Sequence, residues 1–511
     1  MEAATLERGG PAAYAHSLRE AARSRSRVFW IVAGLTALAA VLRFATLGIQ
    51  AYHHDEIVTA SRVLRGSFFH AMDAVGFSES APPLYYALAW FWTQVTGTGE
   101  FGLRSLSAAA GAATVPVAYL LGLELRGRRA GLMAAALVAV NPMLLWYSQE
   151  ARSYALLVLF CTVSLLYCVR AQRSGRRREF TLWGLASGLA LATHYFAFFA
   201  LAAEALLLLR RRGRESLAGL WVVGAFALAL LPLAYHQMSL AHAEWISNFS
   251  LAHRVWEAAA TFAVGETGDI IARPERPELA IVPLALVLGA LLLLRLRGDR
   301  EERRAAVDPL LVAAAAIGLP LLLAVVPGGK DFVLARNVIP ALVPLLLAVA
   351  IALTLPAARR LGTAIGAVLL AYSLGFSIWA SVDQDLQRPD WEAAAAEIGE
   401  PQGPRANVTW LLGEASLRYY LSTGAIQVVP ADPYDWLVHE VNFISDGKVP
   451  PPPQRLLGPG FRETSRGHAG RLYVRHFELQ GPGSAPLRLR ELKEARLNFR
   501  NSGVLLDGIG P

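Results

Sequence analysis

The sequence predicts an α-helical polytopic membrane protein that carries a small α/β domain at its C-terminal end. Hydrophobic residues make up 54% of the 511-residue chain and charged residues only 17%, and the mean hydropathy is +0.38. A soluble globular protein carries about a quarter charged residues. Apolar runs of about 20 residues, the length that a helix needs to cross a bilayer, recur up to about residue 380, and the remaining residues have an ordinary soluble composition. Together these features exclude a cytosolic enzyme.

The basic residues are placed in short arginine clusters between the apolar runs. They number 48 against 40 acidic residues, which gives a formal net charge of +8. A basic chain can bind nucleic acid, but basic clusters at the ends of apolar runs are typical of loops held on the cytoplasmic side of a membrane. The six clusters lie at 23–27, 126–129, 170–178, 210–214, 295–304 and 359–360.

Placing all six clusters in the cytoplasm fixes the predicted topology. It predicts about eleven transmembrane helices in the cytoplasmic (inner) membrane, a cytoplasmic N-terminal segment 1–27 without a cleavable signal peptide, and an extracytoplasmic domain 381–511. The predicted spans are 28–48, 103–125, 129–147, 153–170, 180–194, 195–210, 216–235, 279–296, 308–326, 337–356 and 361–380.

Two long outer loops follow from this topology, a first loop 49–102 and a large loop 236–278. Segment 82–97 in the first loop is apolar, but counting it as a span would invert every later arginine cluster. It is short and rich in tyrosine, tryptophan and phenylalanine, as helices at a membrane interface are. We therefore expect it to lie at the outer membrane surface. The loop 236–278 mixes aromatic and charged residues that could shape a binding cleft or pack on the soluble domain.

The soluble domain alternates helical and strand-like segments, which predicts a small α/β fold. We expect helices at 390–398 and 415–421, strands at 406–412, 425–429 and about 471–479, and a proline-rich break at 450–453. A glycine-rich phosphate loop is absent from this sequence.

The first polar cluster directly follows the first span, where Tyr52, His53, His54, Asp55 and Glu56 are consecutive. Two adjacent carboxylates beside two histidines could supply a general base or hold a divalent cation. Alternatively, one carboxylate caps a short helix that begins at Ile57.

Two further clusters occupy outer turns between spans. Glu150 and Arg152 lie in the turn after the third predicted span, where they could pair with each other. His194 and Tyr195 lie where two short spans meet. Most histidines of the membrane region fall in outer loops, which indicates a polar cavity on that face.

The fourth cluster is segment 327–336, which contains a Gly-Gly turn followed by Lys330 and, later, Arg336. Flexible cations at the outer headgroup level could bind a phosphate anion. The alternative is a generic contact with phospholipid headgroups.

These residues resemble those of membrane glycosyltransferases of the GT-C class, in the family 39 group that contains protein-mannosyltransferase-like, ArnT-like (aminoarabinose-transferase-like) and RgtA/B/C/D-like enzymes. The resemblance extends over roughly residues 28–400 and leaves the tail as a variable appendage. The matching segments, in the family's order, are 55–56, 82–86, 102–108, 141–142, 148–156, 193–195 and 336–340.

The resemblance implies a GT-C fold, with residues 28–380 forming a transmembrane glycosyltransferase domain. It also implies that a polyprenyl-phosphate sugar and an acceptor hydroxyl meet at the outer surface. By similarity, Asp55 is the base and Glu150 the second acidic residue of the cavity. The sequence departs from the family where a histidine often precedes the Pro-Pro pair, since Ala81 stands there, and where the late span commonly opens Arg-Tyr, since Asn337 follows Arg336.

The residues are consistent with this chemistry. The predicted cytoplasmic loops are too short to build a nucleotide-sugar site, so an activated sugar must arrive tethered to lipid, and we expect no nucleotide. Asp55 is the expected base, with Glu56 orienting it or the acceptor, and Lys330, Arg336 and Arg152 are expected to bind the donor phosphate. A single displacement inverts the anomeric centre.

The remaining predictions concern the cavity, the metal and the partners. We expect His54, Tyr85, His194 and Tyr195 to line the cavity, while His53, Asp55 and Glu150 could hold a divalent cation. The partners expected are the lipid-linked sugar (mannose- or arabinose-like), membrane lipids, and a glycan, lipid or protein acceptor, without nucleic acid. The other function considered is a transporter or flippase of a lipid-linked or amphipathic substrate, although transporters often show paired repeats that this sequence lacks. A third is a sensor or scaffold whose tail binds a partner.

Overall fold

The computed structural model describes residues 11–240, 244–266, 278–327, 329–410, 413–421, 424, 426–428, 436–446, 457, 460–487 and 502–507. Most of the described residues up to 382 are helical. Sixteen α-helices in this part are α1 (Pro11–Phe44), α2 (His54–Val58), α3 (Phe68–Ser78), α4 (Leu84–Thr96), α5 (Glu100–Arg126), α6 (Arg128–Val140), α7 (Pro142–Ser148), α8 (Tyr154–Ser174), α9 (Arg177–Thr193), α10 (Ala197–Arg212), α11 (Leu217–Ser239), α12 (Leu251–Val264), α13 (Glu278–Arg297), α14 (Arg300–Val325), α15 (Leu342–Leu353) and α16 (Arg359–Val382).

Within the described residues, eight helices are long and apolar enough to cross a membrane, or nine if the pair α6 and α7, bent by 56°, is one span. One of the eight, Ala197–Ser239, joins α10 and α11 through a 3-10 turn. Its 43 residues would measure about 65 Å as one helix, twice the thickness of a bilayer core. Gly213, with φ of +53°, breaks it into two. Counting α10 and α11 separately, the pair α6 and α7 as one span, and the 17-residue α9 in addition places a helix at each of the eleven predicted spans.

The first outer loop contains α2, a π-helical turn (Thr59–Val63), α3 and α4. Helix α4 has 13 residues and is about 20 Å long, which is too short to span a bilayer. It buries Tyr85 and Tyr86 and leaves Phe91 and Val95 exposed. This two-sided character agrees with the interfacial helix predicted at 82–97, while its position relative to the lipid stays a prediction.

The C-terminal region contains two helices, a six-stranded sheet and a separate two-stranded sheet. They are α17 (Trp391–Ile398), β1 (Arg405–Trp410), α18 (Gly413–Tyr420), β2 (Ile426–Val428), β3 (Trp436–Val438), β4 (Glu440–Asp446), β5 (Phe461–Ala469), β6 (Leu472–Leu479), β7 (Ala485–Leu487) and β8 (Ser502–Asp507). The strand order is β2-β8-β1-β4-β6-β5, in which β1 and β4 are parallel and the other pairs antiparallel, and β3 pairs with β7.

This region confirms the predicted α/β class. The two helices and three strands predicted for it are present, whereas β3, β4, β5, β7 and β8 were not predicted. The proline-rich break at 450–453 lies outside the described residues.

Candidate active site

The loop that carries the predicted base, residues 47–56 (the Asp55 loop), is anchored by one buried arginine of α5. Arg104 donates two hydrogen bonds to the Glu56 carboxylate, each 2.7 Å long. It also donates to the backbone carbonyls of Leu47, Gln50 and Ala51 at 2.7 to 3.0 Å. The side chains of Arg104 and Glu56 are 1% and 0% exposed. A bidentate arginine–carboxylate pair has defined geometry as well as strength, so Arg104 fixes the course of this loop.

Glu56 also organises the short helix α2. Its carboxylate accepts the backbone N–H of His53 at 2.9 Å, and the His53 side chain accepts the N–H of Asp55, which forms a capping box. A further bond comes from the backbone N–H of Ala151 at 2.7 Å. Burial, the largest single effect, raises the pKa of Glu56, but the charge and hydrogen bonds of Arg104, the Arg388 charge and the Ala151 hydrogen bond together hold this pKa well below its ordinary value. Both Glu56 oxygens are therefore engaged next to Asp55, and the orienting role expected for Glu56 stays a prediction.

Asp55 lies beside Arg336, and the two residues come from segments 281 positions apart. The Arg336 guanidinium donates to the Asp55 carboxylate at 3.1 Å, and the two side chains remain 15% and 27% exposed. Burial, the largest single effect, raises the pKa of Asp55, but the charges of Arg336, Arg152, His53 and His54 together outweigh it, so the net pKa lies well below the ordinary aspartate value. Arg336 also lies over the ring of Trp245, 6.0 Å from its centroid. The structure thus brings together two of the predicted site residues.

Arg152 is a second cation next to Asp55, but it has its own counter-ion. It pairs with Glu79 at 2.7 Å and donates to the Asp55 carbonyl oxygen at 3.4 Å and to the Thr59 hydroxyl at 3.2 Å. Burial raises the pKa of Glu79, against the lowering effect of the Arg152 charge. Tyr86 donates to the same carboxylate at 2.7 Å. The sequence analysis did not single out Glu79, because a lone glutamate in a long loop carries no local signal.

Glu150 lies on the other side of His53 and pairs with an arginine beyond the last span. Its carboxylate accepts from Arg388 at 3.3 Å, and both side chains are 2% exposed. The second oxygen, Oε1, has no hydrogen-bond partner among the described residues. Burial raises the pKa of Glu150, with the Arg388 charge opposing it. The alternative that Glu150 and Arg152 pair with each other is therefore not what the structure shows, since each side chain has a different buried partner.

The four residues predicted to line the cavity lie in different surroundings. Tyr85 is fully buried in an apolar cluster, with its hydroxyl 3.4 Å from that of Ser107, and its predicted place on the cavity wall stays a prediction. Tyr195 donates to Gln237 at 2.8 Å. His194 packs against Tyr154 with ring centroids 5.6 Å apart. The fourth residue, His54, is the half-buried first residue of α2.

An aromatic row lies beside the cations Arg152 and Arg336. Its consecutive ring centroids are 4.8 to 5.6 Å apart, within the range of favourable ring contacts, and its members are Tyr147, Tyr154, His194, Phe196 and Phe332. Lys330 precedes the last of these rings and is exposed. Its neighbour Asp331 is held by Arg254 at 2.5 and 2.6 Å.

The set His53, Asp55 and Glu150 does not form a metal site in this structure. Among the described residues, no group of three or more His, Cys, Asp or Glu side chains is placed to hold a metal ion. The two carboxylates of the set are instead engaged by Arg336 and Arg388.

Glu266, in the large outer loop, adds a buried carboxyl group near Arg336. Tyr147 donates a hydrogen bond to it, and its side chain is 6% exposed. Burial raises its pKa from 4.5 to about 7, against the lowering effects of the Tyr147 hydrogen bond and the Arg336 charge. The sequence analysis noted the mixed composition of this loop without assigning Glu266 a role.

The raised pKa of Glu266 predicts a pH-dependent stability. The folded state binds more protons than the unfolded state between pH 4.5 and 7, so this stabilisation is complete below pH 4.5 and is lost as pH rises through 7. The difference between the folded and unfolded pKa values of Glu266 corresponds to about 3 kcal/mol in the free energy of unfolding. We expect Glu266→Gln to raise the melting temperature at pH 8 and to change it little at pH 5, measured by thermal unfolding in detergent. The matched control is Glu301→Gln, whose side chain is 80% exposed. Equal melting temperatures of wild type and Glu266→Gln at pH 8 would contradict the prediction.

Comparison with known proteins shows which family model and which solved structures this chain is similar to. The family model for dolichyl-phosphate-mannose-protein mannosyltransferase matches residues 80–236, less than half of the chain and without Asp55 or Arg336. No curated protein matches the sequence.

Two solved structures share the overall architecture. The crystal structure of ArnT from Cupriavidus metallidurans in the apo state has a TM-score of 0.56 and 14% identity, and the match covers 88% of this chain and 98% of that one. The same protein bound to undecaprenyl phosphate has a TM-score of 0.53 and 16% identity, with 88% and 99% covered. The predicted resemblance to GT-C membrane glycosyltransferases is confirmed, and the chain is a multi-pass membrane protein with the GT-C fold.

Proposed function

We propose that this protein transfers a mannose- or arabinose-like sugar from a polyprenyl-phosphate donor to an acceptor hydroxyl, at the outer face of the cytoplasmic membrane. The observation that carries the proposal is the contact between the Asp55 carboxylate and the Arg336 guanidinium. A base and an anion-binding cation are the two groups that such a transfer needs. Both side chains are partly exposed, whereas Glu56, Arg104, Glu150 and Arg388 are buried. The relative that is solved with undecaprenyl phosphate supports the donor class.

The proposed reaction is a single displacement. The acceptor hydroxyl gives its proton to the Asp55 carboxylate as its oxygen bonds to the anomeric carbon. The bond from that carbon to the donor phosphate oxygen breaks, and the phosphate leaves with the electron pair. Attack opposite to the leaving group inverts the anomeric configuration.

During the proposed reaction Arg336 can pair with either of two anions, the Asp55 carboxylate or the donor phosphate. Without donor it pairs with Asp55, which keeps the Asp55 pKa low and the carboxylate a weak base. A donor phosphate offers the same fork two accepting oxygens. When Arg336 turns to the phosphate, Asp55 loses its largest stabilising charge and its basicity rises. Donor binding thus prepares the base, while Arg152 and the exposed Lys330 add positive charge for the phosphate.

The function is tested by supplying candidate donors to the purified full chain in lipid nanodiscs. We would use undecaprenyl-phosphate mannose, arabinose and galactose, each radiolabelled in the sugar, and measure release of undecaprenyl phosphate with and without EDTA. Turnover of one donor into a product of opposite anomeric configuration supports the proposal. Retention of configuration contradicts the single displacement, and no turnover of any donor contradicts the proposed function.

Arg336→Met is expected to weaken donor binding. Loss of a bidentate phosphate contact raises the KM for the donor by about 10- to 100-fold, because hydrogen bonds to charged groups are worth about 1.5 to 3 kcal/mol. Arg336→Lys keeps the charge without the planar fork, so an intermediate KM is expected. Steady-state kinetics with the active donor measure the effect, and Arg295→Met, an exposed arginine on α13, is the matched control. A KM equal to that of wild type would exclude Arg336 from the donor site.

A further inference from the structure

We infer that the C-terminal domain completes the active site, with Arg388 and Tyr420 as positioning residues that hold the Asp55 loop in its working geometry. The inference rests on the proposed function, because it assigns these two residues to the geometry of that same reaction. Nothing in the sequence analysis gave the C-terminal region a part in the site.

Arg388, between α16 and α17, reaches back into the membrane domain. Its guanidinium donates to Glu150 at 3.3 Å, and its backbone N–H and guanidinium both donate to the side-chain oxygen of Gln50 at 3.3 Å. Its guanidinium also lies 4.2 Å from the ring centroid of Trp146. Gln50 belongs to the Asp55 loop, so one buried side chain joins this loop to the predicted second acid of the cavity.

Tyr420, the last residue of α18, makes a second connection to the loop. Its hydroxyl accepts the backbone N–H of Tyr52 at 2.7 Å and donates to Glu100, at the start of α5, at 2.7 Å. The preceding residue, Tyr419, packs edge-on against the Tyr52 ring with centroids 5.8 Å apart. The backbone of the loop is thereby fixed three residues before Asp55.

Apolar packing adds a third contact between the Asp55 loop and the C-terminal domain. Ala51 is 3% exposed and belongs to the same buried cluster as residues from α17, α18 and the sheet, namely Trp391, Leu417, Ile444, Leu472 and Leu505. The Asp55 loop therefore has Arg104 on its membrane side and Arg388, Tyr420 and this cluster on its domain side.

The two sides act on the same short stretch of backbone. Arg104 binds the carbonyls of Gln50 and Ala51, Arg388 binds the Gln50 side chain, and Tyr420 binds the N–H of Tyr52. The capping box formed by His53 and Glu56 joins this stretch of backbone to the start of α2, so the position of Asp55 depends on these contacts. A displacement of about 1 Å at a reacting group can cost about 100-fold in rate. The domain-side contacts consequently affect the chemical step although neither residue touches the reacting atoms.

The test compares four variants of the full chain, Arg388→Met, Arg388→Lys, Tyr420→Phe and the control Arg466→Met. Arg466 lies on β5 in the same domain, is 66% exposed and pairs with Glu463. We expect Arg388→Met and Tyr420→Phe to lower kcat at least about tenfold with the donor KM changed less than about twofold, the pattern of lost transition-state geometry. Arg388→Lys is expected to recover part of kcat. Arg466→Met is expected to match wild type.

The measurements are made on monodisperse protein well below its melting temperature, so that reduced folding does not lower the rate. Tyr420→Phe removes a single oxygen and serves as the decisive variant if Arg388→Met fails to fold. Unchanged kcat in Tyr420→Phe, or equal kcat of Arg388→Met and Arg466→Met, overturns this inference while the proposed function stands. A wild-type chain that turns over none of the three donors overturns both.

Discussion

Replacing Asp55 with Asn is expected to lower kcat for sugar transfer by about 1,000-fold and to leave the protein folded. An amide cannot take the acceptor's proton, and a positioned general base contributes about 10²- to 10⁴-fold. The substitution preserves size, and the ion pair that it breaks is partly exposed, so little stability is lost. Single-turnover rates with the active donor, together with melting temperatures, separate the two effects.

Asp73→Asn is the matched control for this variant. Asp73 lies on α3, in the same outer loop, and is exposed. Full activity in Asp73→Asn combined with a large loss in Asp55→Asn supports the base assignment. A kcat of Asp55→Asn within a few-fold of wild type would remove Asp55 from the mechanism and leave the base to another residue.

The largest effect on stability is expected at the pair Glu56 and Arg104. Breaking a buried ion pair by removing one partner costs about 3 to 5 kcal/mol, because it leaves the other charge without compensation. Arg104→Met also leaves three buried carbonyl oxygens of the Asp55 loop without their donor. We expect Arg104→Met and Glu56→Gln each to lower the melting temperature markedly in detergent.

The control pair lies at the other end of α5. Glu124 pairs with Arg170 and Arg173, and its side chain is 29% exposed. Exposed ion pairs contribute about 0 to 1 kcal/mol, so Glu124→Gln is expected to melt close to wild type. If Glu56→Gln melts as Glu124→Gln does, the Arg104 contact does not hold the loop.

Helix positions and strand patterns could be predicted from sequence because each depends on local composition. The eleven spans follow from apolar length and arginine placement, and the strand β1 and the helix α17 follow from their own residue patterns. The GT-C class could be predicted because its motifs keep their order. Asp55 and Arg336 were predicted as site residues because ionisable groups at a membrane surface are costly unless they have a task.

The partners of those residues could not be predicted, because they are far away in the chain. Arg104 meets Glu56 across 48 positions and Arg388 meets Glu150 across 238. Within the adjacent pair Asp55 and Glu56, the sequence does not show which carboxylate is buried by an arginine. That difference arises only when α5 packs behind the loop.

The contact between Arg388 and Gln50 has a consequence for biosynthesis. The two residues are 338 positions apart, so a nascent chain has threaded its helices before the second of them has left the ribosome. Until the C-terminal segment has been translated and docked, the Asp55 loop lacks its contacts with Arg388 and Tyr420. On the proposed function, a prematurely terminated product would be inserted into the membrane without activity.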